Sequence, residues 1–150
     1  MLEWLTPGFD VYVVLGHLRD LVLAYLLAIP IAWDREKHER TAGLRTFPLV
    51  AVAACGYALI GMDVLESDGA QARVMEGLIT GIGFIGGGAI LKGGNRVKGT
   101  ATATSIWATG AIGLAVATHR MEIALLISMV TFMTLRFLKP LVDASSSARR

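Results

Sequence analysis

The chain has 150 residues, of which 54% are hydrophobic and 17% charged, and its formal net charge at pH 7 is only +2. A nearly neutral chain without a clustered excess of basic residues gives no support to nucleic-acid binding. The single cysteine, Cys55, excludes an intramolecular disulfide. The apolar runs are longer and more numerous than a soluble core of this size needs, so the composition indicates a membrane protein.

Apolar blocks follow one another along the chain and are predicted to form membrane-spanning helices. In chain order they are Leu21–Trp33, Phe47–Met62, Val74–Leu91, Thr100–Thr118 and Met121–Leu138. The last three reach the roughly 17–25 residues that a span requires. The second block has Pro48 in its first turn, where proline removes no intrahelical hydrogen bond. The first block is short, and we expect it to extend back through Arg19 and Asp20, which would pair or snorkel to the outer interface.

The segments between these blocks alternate in their content of Lys and Arg. With Arg136 assigned to the C-terminal end, successive segments contain 1, 4, 1, 3, 1 and 4 of these residues. Short loops rich in Lys and Arg stay on the cytoplasmic side of a bilayer. The alternation therefore predicts an all-α polytopic membrane protein, a bundle of about five transmembrane helices with the N-terminus outside and the C-terminus inside.

The N-terminal segment is predicted to be interfacial. A helix over Thr6–Gly16 would place Phe9, Tyr12 and Val13 on its apolar side, and whether this helix enters the membrane stays open. No cleavable signal peptide is evident. The predicted parts of the chain are an interfacial segment over 1–17, a transmembrane domain over 18–140 and a polar tail over 141–150.

Glycine is concentrated in the third and fourth blocks, where eleven of the seventeen glycines lie between Gly77 and Gly113. Glycines four residues apart favour close approach of helices in lipid, so we expect these two helices to pack tightly. An unwound helix that lines a polar cavity is the alternative. The candidate packing or path residues are Gly77, Gly81, Gly83, Gly87, Gly88, Thr102, Thr104, Trp107 and Gly110. The Gly81–Gly86 match to G-x-G-x-x-G is rejected as a dinucleotide site, because no acid follows before Glu122.

Three stretches resemble the MgtC/SapB family of bacterial inner-membrane proteins. They are Trp33-Asp-Arg-Glu-Lys-His-Glu-Arg-Thr-Ala-Gly-Leu-Arg-Thr46, Gly81-Ile-Gly-Phe-Ile-Gly-Gly-Gly-Ala-Ile90 and Val97-Lys-Gly-Thr-Ala-Thr-Ala-Thr-Ser-Ile-Trp107. The resemblance covers roughly residues 18–138. Two places depart from the family pattern: Ala32-Trp33-Asp34-Arg35 stands where Gly-x-Glu-Arg is usual, and Thr100-Ala101 stands where Leu-Asn or a similar pair is common.

The resemblance implies a multi-pass protein of the bacterial inner membrane that is linked to adaptation to low magnesium and, in pathogens, to survival inside host cells. It further implies regulation of another membrane complex, such as the F-type ATP synthase. The chain resembles the short form of the family, without the soluble C-terminal domain. The alternative function is transport of Mg²⁺ or another small ion or solute, along a path lined by Thr102, Thr104, Thr109 and the Gly81–Gly88 backbone.

The inner-loop signature supplies the first set of candidate site residues, and it comprises Asp34, Arg35, Glu36, Gly43, Arg45 and Thr46. One hypothesis is that Asp34 and Arg45 form a partly desolvated ion pair that locks the first helical hairpin, or a docking surface for a partner. The competing interpretation is that these are solvated loop charges that enforce topology.

Two acids, Glu76 and Glu122, lie within the third and fifth blocks and are predicted near the outer surface. An intramembrane carboxylate is a candidate cation or proton site, and magnesium takes oxygen ligands, which makes Glu76 the candidate metal ligand. Each acid also lies near a predicted helix N-terminus, where the dipole favours an anion, so anchoring at the interface is the competing interpretation.

No catalytic constellation is present in the sequence. The histidines are far apart, and no Ser/His pair, metal-ligand cluster or phosphate loop is found. Ser105 and Ser128 are predicted to bond to their own backbone or across helices. We therefore expect no enzyme activity and no cofactor, with Mg²⁺ retained only as a candidate ligand or signal. The expected partners are the lipid bilayer, another membrane complex and a second copy of the chain in a homodimer.

Overall fold

A computed structural model describes residues 10–38, 42–93 and 96–147. The helices are α1 (Val11–His38), α2 (Thr46–Val64), α3 (Asp68–Gly88), α4 (Thr100–Ala117) and α5 (Met121–Ser147), and the strands are β1 (Leu91–Gly93) and β2 (Arg96–Lys98). The predicted all-α membrane fold is confirmed. Among the described residues, four helices are long and apolar enough to cross a membrane: α1 over Val11–Lys37, α2, α4, and α5 over Met121–Leu138.

Helix α3 is long enough to span but is not among those four. It carries Asp68, Arg73 and Glu76 in its first half and is rich in glycine in its second half. An N-out/C-in arrangement needs an odd number of crossings, so it requires α3 to cross as well. That crossing stays a prediction carried by the charge alternation.

Helix α4 lies at the centre of the bundle and packs against α1, α2, α3 and α5. Its sequence alternates small, hydroxyl-bearing and β-branched residues, which let neighbouring backbones approach closely in the absence of a hydrophobic driving force. Helix α4 lies close to α2 at Gly113, where an added Cβ would overlap the carbonyl oxygen of Ala51 and lie 2.9 Å from the backbone nitrogen of Cys55. The core accordingly consists largely of alanine, with Phe47, Ile106 and Ile112 as its larger members.

The ends of the helices differ from the block boundaries in three places. Helix α1 runs without a break from Val11, so the C-terminal half of the expected interfacial segment belongs to this long helix, whereas Thr6–Phe9 lies outside the described residues. The backbone of α5 continues as helix into the segment predicted as a polar tail. Helix α3 ends at Gly88, and the residues after it form an antiparallel pairing of β1 with β2, in the register Leu91 with Lys98 and Lys92 with Val97.

Glycine is required at the turn from this hairpin into α4. Gly99 has φ of 85°, a left-handed conformation that costs other residues energy. A Cβ there would also overlap the carbonyl oxygen of Ala89. The glycine of the Val97-Lys-Gly-Thr100 string therefore has a local structural reason.

Candidate functional site

The inner-loop signature begins with two buried charges at the C-terminal end of α1. Asp34 and Arg35 are 3% and 4% exposed, and Arg35 Nη2 donates to Asp34 Oδ2 at 2.9 Å. These residues follow Ile31 and Ala32 on the buried face of the helix. Buried charges are stable only when they are paired and hydrogen-bonded, so the competing interpretation of Asp34 and Arg35 as solvated loop charges is wrong.

A second contact ties the end of α1 to the start of α2. The carboxylate of Glu36 accepts a hydrogen bond from the backbone N–H of Leu44 at 3.0 Å. The carbonyl of Gly43 in turn accepts from the N–H groups of Thr46 and Phe47 at 3.0 and 3.2 Å. A Cβ at Gly43 would overlap the Glu36 carboxylate and lie 3.0 Å from its Cα. Glycine is needed here because the two segments touch, and we call these contacts together with the Asp34–Arg35 pair the inner-end cluster.

Arg45 does not take part in the pairing that the sequence suggested. Its side chain is exposed and lines a groove between α2 and α3, and no described acid forms an ion pair with it. The hypothesis of an Asp34–Arg45 pair is therefore wrong, because the buried carboxylate of Asp34 pairs with the adjacent Arg35 whereas the Arg45 side chain is exposed. Thr46, the first residue of α2, also lines the groove.

An exposed edge lies beside the inner-end cluster. Trp33 is 53% exposed, and Lys37 Nζ lies 5.0 Å from the centroid of its ring. This distance is within the range of a cation–π interaction. We call this pair the Trp33–Lys37 edge.

The glycines expected to hold α3 against α4 do so only in part. Added Cβ atoms at the following positions would meet nothing within 4 Å: Gly77, Gly81, Gly83, Gly87 and Gly88. The contact is made instead by Gly86, where a Cβ would lie 3.0 Å from the carbonyl oxygen of Ala103, and by Gly110, which accommodates the side chain of Ile82. Gly110 is thus a packing residue as expected, whereas the five glycines above face open space, Gly77 and Gly81 on the side of α3 that faces α2.

The hydroxyls proposed as a polar path mostly bond to their own helix. Thr104 donates to the carbonyl of Thr100 at 2.9 Å and Thr109 to that of Ser105 at 2.7 Å. Thr102 is fully buried, and its Oγ1 has no hydrogen-bond partner in the part of the chain that is described. Trp107 is 54% exposed on the outside of α4. Helix α3 is continuous over Gly81–Gly88, so the alternative of an unwound helix there is wrong.

The prediction for the two helical serines is confirmed. Ser105 donates to the carbonyl of Ala101 in its own helix at 2.6 Å. Ser128 Oγ donates across helices to the carbonyl of Leu27 at 2.7 Å and so joins α5 to α1.

The two candidate acids of the spans are both exposed. Glu122 lies in the first turn of α5, where the helix dipole favours it. Glu76 lies two turns into α3, which begins at Asp68 after the capping Ser67, so the dipole explanation does not apply to Glu76. No group of three or more His, Cys, Asp or Glu placed to hold a metal occurs among the described residues.

A second polar cluster, at the opposite end of the bundle, was not singled out from the sequence as a site. It surrounds a pocket of about 380 Å³ between α1, α2 and the end of α4. His17 Nε2 lies 3.2 Å from Asp63 Oδ2, and the pocket is also lined by His119. Asp20, which is 4% exposed, accepts from Arg19 Nε at 2.9 Å, which confirms the expected Arg19–Asp20 pairing.

The sequence did contain a signal for the burial of Asp20. Residues four apart share a face of a helix, and Asp20, Ala24 and Ala28 follow at that spacing and are all buried. The contact between His17 and Asp63 had no such signal, because it joins two helices whose register depends on the whole bundle.

The sequence is similar to a known protein family and to several of its members. The family model described as the MgtC family matches residues 21–144. Protein MgtC of Brucella abortus is 34% identical over 120 residues, which cover 80% of this chain and 50% of that protein. Protein SrpB of Synechococcus elongatus is 34% identical over 143 residues, covering 85% and 77%. Protein MgtC of Salmonella typhimurium is 36% identical over 98 residues, covering 65% and 42%.

Except for SrpB, the chain spans about half the length of these relatives. No solved structure matches it.

Proposed function

The chain belongs to the MgtC family, and on that premise we propose that it is a regulator in the bacterial inner membrane that acts in adaptation to low magnesium by contacting another membrane complex. The F-type ATP synthase is the complex we propose. In this proposal the Trp33–Lys37 edge is the contact surface, and the inner-end cluster holds that edge in a fixed position.

The observation that carries the proposal is the way the signature residues are used. Asp34, Arg35 and Glu36 serve contacts within the chain, at the junction of α1 and α2. Such a junction orders the surface next to it, and exposed aromatic side chains held in an ordered position are typical of protein interfaces. The exposed Trp33 with Lys37 beside it matches that description.

Ion transport has weaker support from the described residues. A path would need polar groups directed into a continuous cavity. The hydroxyl groups of Thr104 and Thr109 donate hydrogen bonds to backbone carbonyls of their own helix. The groove between α2 and α3 and the pocket of His17 and Asp63 are lined by none of the path threonines Thr102, Thr104 and Thr109.

Site-specific photocrosslinking tests the contact surface. A photoreactive amino acid replaces Lys37 in one variant and Arg73, an exposed residue of α3, in the control. After irradiation of living cells, we expect an adduct with a membrane subunit of the ATP synthase from position 37 and none from position 73. Equal adducts at both positions, or none with the synthase from position 37, would contradict the proposal.

Magnesium uptake tests the alternative. Proteoliposomes that hold the purified protein in a single orientation are compared with protein-free vesicles and with a Glu76→Gln variant. We expect no saturable uptake above that of the empty vesicles. Saturable uptake that is lost in Glu76→Gln would overturn the regulatory proposal and show that the protein transports magnesium.

A further inference from the structure

A long groove between α2 and α3 remains open on the surface of the bundle. Its volume is about 860 Å³, within the usual size of a ligand pocket. The lining is almost entirely apolar and includes Leu49, Tyr57, Phe84 and Ile85, which are 62%, 63%, 85% and 51% exposed. Arg45, at one end, is the only charged residue of the lining.

The groove is widened where α3 carries glycine, although Leu78 and Ile82 of the same helix also line it. At one end the two helices are in contact, since a Cβ at Gly61 would lie 2.9 Å from Val74 Cγ1. Gly77 and Gly81 follow on α3, line the groove and have nothing within 4 Å of their Cβ positions. The open space is therefore a property of the α3 sequence, which places glycine on this face.

The length of the groove matches one leaflet of a bilayer. From Arg45 to Tyr57 along α2, a rise of 1.5 Å per residue gives about 18 Å. The hydrocarbon core of a bilayer is about 30 Å thick, so that one leaflet contributes roughly 15 Å. A helix that crosses both leaflets is about twice as long as the groove. A single acyl chain, which spans one leaflet, fits within the groove.

The charge at the end of the groove suits a phosphate. Arg45 lies in a basic inner segment, and no described acid pairs with it. A guanidinium binds phosphate oxygens through two parallel hydrogen bonds. The backbone N–H groups of Thr46 and Phe47 already bond to Gly43, and Pro48 has no N–H group, so recognition of an anion here falls to the Arg45 side chain. Lys92 and Lys98, in the hairpin that follows α3, are exposed and add to the positive potential that attracts anionic lipids to the inner leaflet.

We propose that the groove binds an anionic phospholipid of the inner leaflet, with the phosphate on Arg45 and one acyl chain along Leu49, Tyr57 and the open glycine face. The lipid covers apolar side chains that the bundle leaves unfilled and neutralises the arginine. This site is independent of the Trp33–Lys37 edge and of the proposed regulatory contact, so either proposal can fail while the other stands.

Native mass spectrometry of the purified full chain in detergent tests the site. Phosphatidylglycerol is titrated against phosphatidylcholine with the same acyl chains, and glycerol 3-phosphate serves as a soluble headgroup. We expect preferential binding of phosphatidylglycerol and no binding of glycerol 3-phosphate at the same concentration. Arg45→Gln is expected to weaken phosphatidylglycerol binding about tenfold, the loss of one charged hydrogen-bonding group, whereas Arg73→Gln, the matched charge control, is expected to leave it unchanged.

A pair of glycine variants separates the groove from the rest of the helix. Gly81→Leu fills the groove, whereas Gly83→Leu adds the same side chain in open space outside its lining. Both substitutions lie where nothing obstructs a Cβ, so both proteins are expected to fold, which size-exclusion chromatography and circular dichroism verify. We expect loss of lipid binding in Gly81→Leu only.

Three results would overturn the lipid site. The first is equal binding of phosphatidylcholine and phosphatidylglycerol. The second is equal phosphatidylglycerol binding by Arg45→Gln and Arg73→Gln, and the third is equal phosphatidylglycerol binding by Gly81→Leu and Gly83→Leu. Loss of a copurified protein in Gly81→Leu, with lipid binding intact, would assign the groove to a protein partner instead.

Discussion

Asp34 illustrates how the environment decides what a charged residue does. In the sequence it lies in a loop-like run of charges between two apolar blocks, and solvated charges were one interpretation of it. In the structure its side chain is buried and hydrogen-bonded to Arg35. Breaking a buried pair by removing one partner leaves an uncompensated charge, which is costly, whereas replacing both charges is often nearly neutral.

We therefore predict that Asp34→Asn lowers the free energy of unfolding by about 3–5 kcal/mol. The double change Asp34→Leu with Arg35→Met is expected to cost less than either single change. Thermal or denaturant unfolding of the detergent-solubilised protein measures both, with Glu66→Gln, at an exposed acid, as a control expected to shift stability by no more than about 0.5 kcal/mol. If Asp34→Asn behaves like Glu66→Gln, the pair contributes nothing to the fold.

His119 is the one described non-glycine residue with positive φ, at 57°. It ends α4 in a Schellman arrangement, in which the N–H of His119 bonds to Val116 and the N–H of Arg120 bonds to Ala115. A left-handed conformation costs an L-residue about 1–2 kcal/mol.

His119→Gly is accordingly predicted to raise the free energy of unfolding by about 1 kcal/mol. His119→Val, which is β-branched, is predicted to lower it, and the same unfolding assay reports both. A gain in stability from valine would show that the backbone at position 119 is not strained in the folded protein.

At the scale of elements, the sequence predicted the helices well and their contacts poorly. Each apolar block corresponds to a helix, although the third block begins within α3 and runs past its end into β1. The partner of a glycine depends on how neighbouring helices are rotated and shifted, which no local pattern specifies. Gly77 and Gly81 fit the motif of glycines four residues apart but face the groove, whereas Gly113, which has no glycine four residues away, makes the close contact with α2.

Gly113→Ala is predicted to lower stability by about 1–3 kcal/mol, because the added methyl group meets the backbone of α2 and overpacking strains both helices. Gly83→Ala is the matched control, since its Cβ enters open space, and it is expected to leave stability unchanged or raise it by about 0.5–1 kcal/mol. Unfolding of the two variants in the same detergent compares them, and similar destabilisation of both would rule out close packing at Gly113.

The sequence did not predict the β1–β2 hairpin or the contacts of the inner-end cluster, for another physical reason. Both depend on where a helix ends, which glycine-rich and charged stretches do not define sharply. The third block reads as apolar up to Leu91, yet α3 ends at Gly88. The signature residues were correctly located at the junction of the first two helices, but the identity of the buried pair required the structure.

Whether α3 crosses the membrane decides on which side of the bilayer each connecting segment lies. If it crosses, the α2–α3 connection lies outside and the hairpin inside, in accord with the basic residues of the two segments. If it does not, the two segments lie on the same side and the proposed inner-leaflet position of the hairpin lysines fails.

Single cysteines in a Cys55→Ala background decide this. Gly69→Cys lies in open space at the start of α3 and Lys98→Cys at the exposed end of the hairpin. We predict that a membrane-impermeant maleimide labels Gly69→Cys in intact spheroplasts and labels Lys98→Cys only after permeabilisation. Labelling of both cysteines from the same side would contradict five crossings.

The central claim is that the protein acts on another membrane complex, and proton-driven ATP synthesis tests it most directly. Purified F-type ATP synthase is reconstituted into liposomes alone, with the wild-type chain, or with Lys37→Glu, which reverses one charge on the Trp33–Lys37 edge. We predict a lower rate of ATP synthesis with the wild-type chain, at an unchanged proton gradient, and recovery of the rate with Lys37→Glu. An unchanged rate at excess wild-type protein, or equal inhibition by Lys37→Glu, would contradict it.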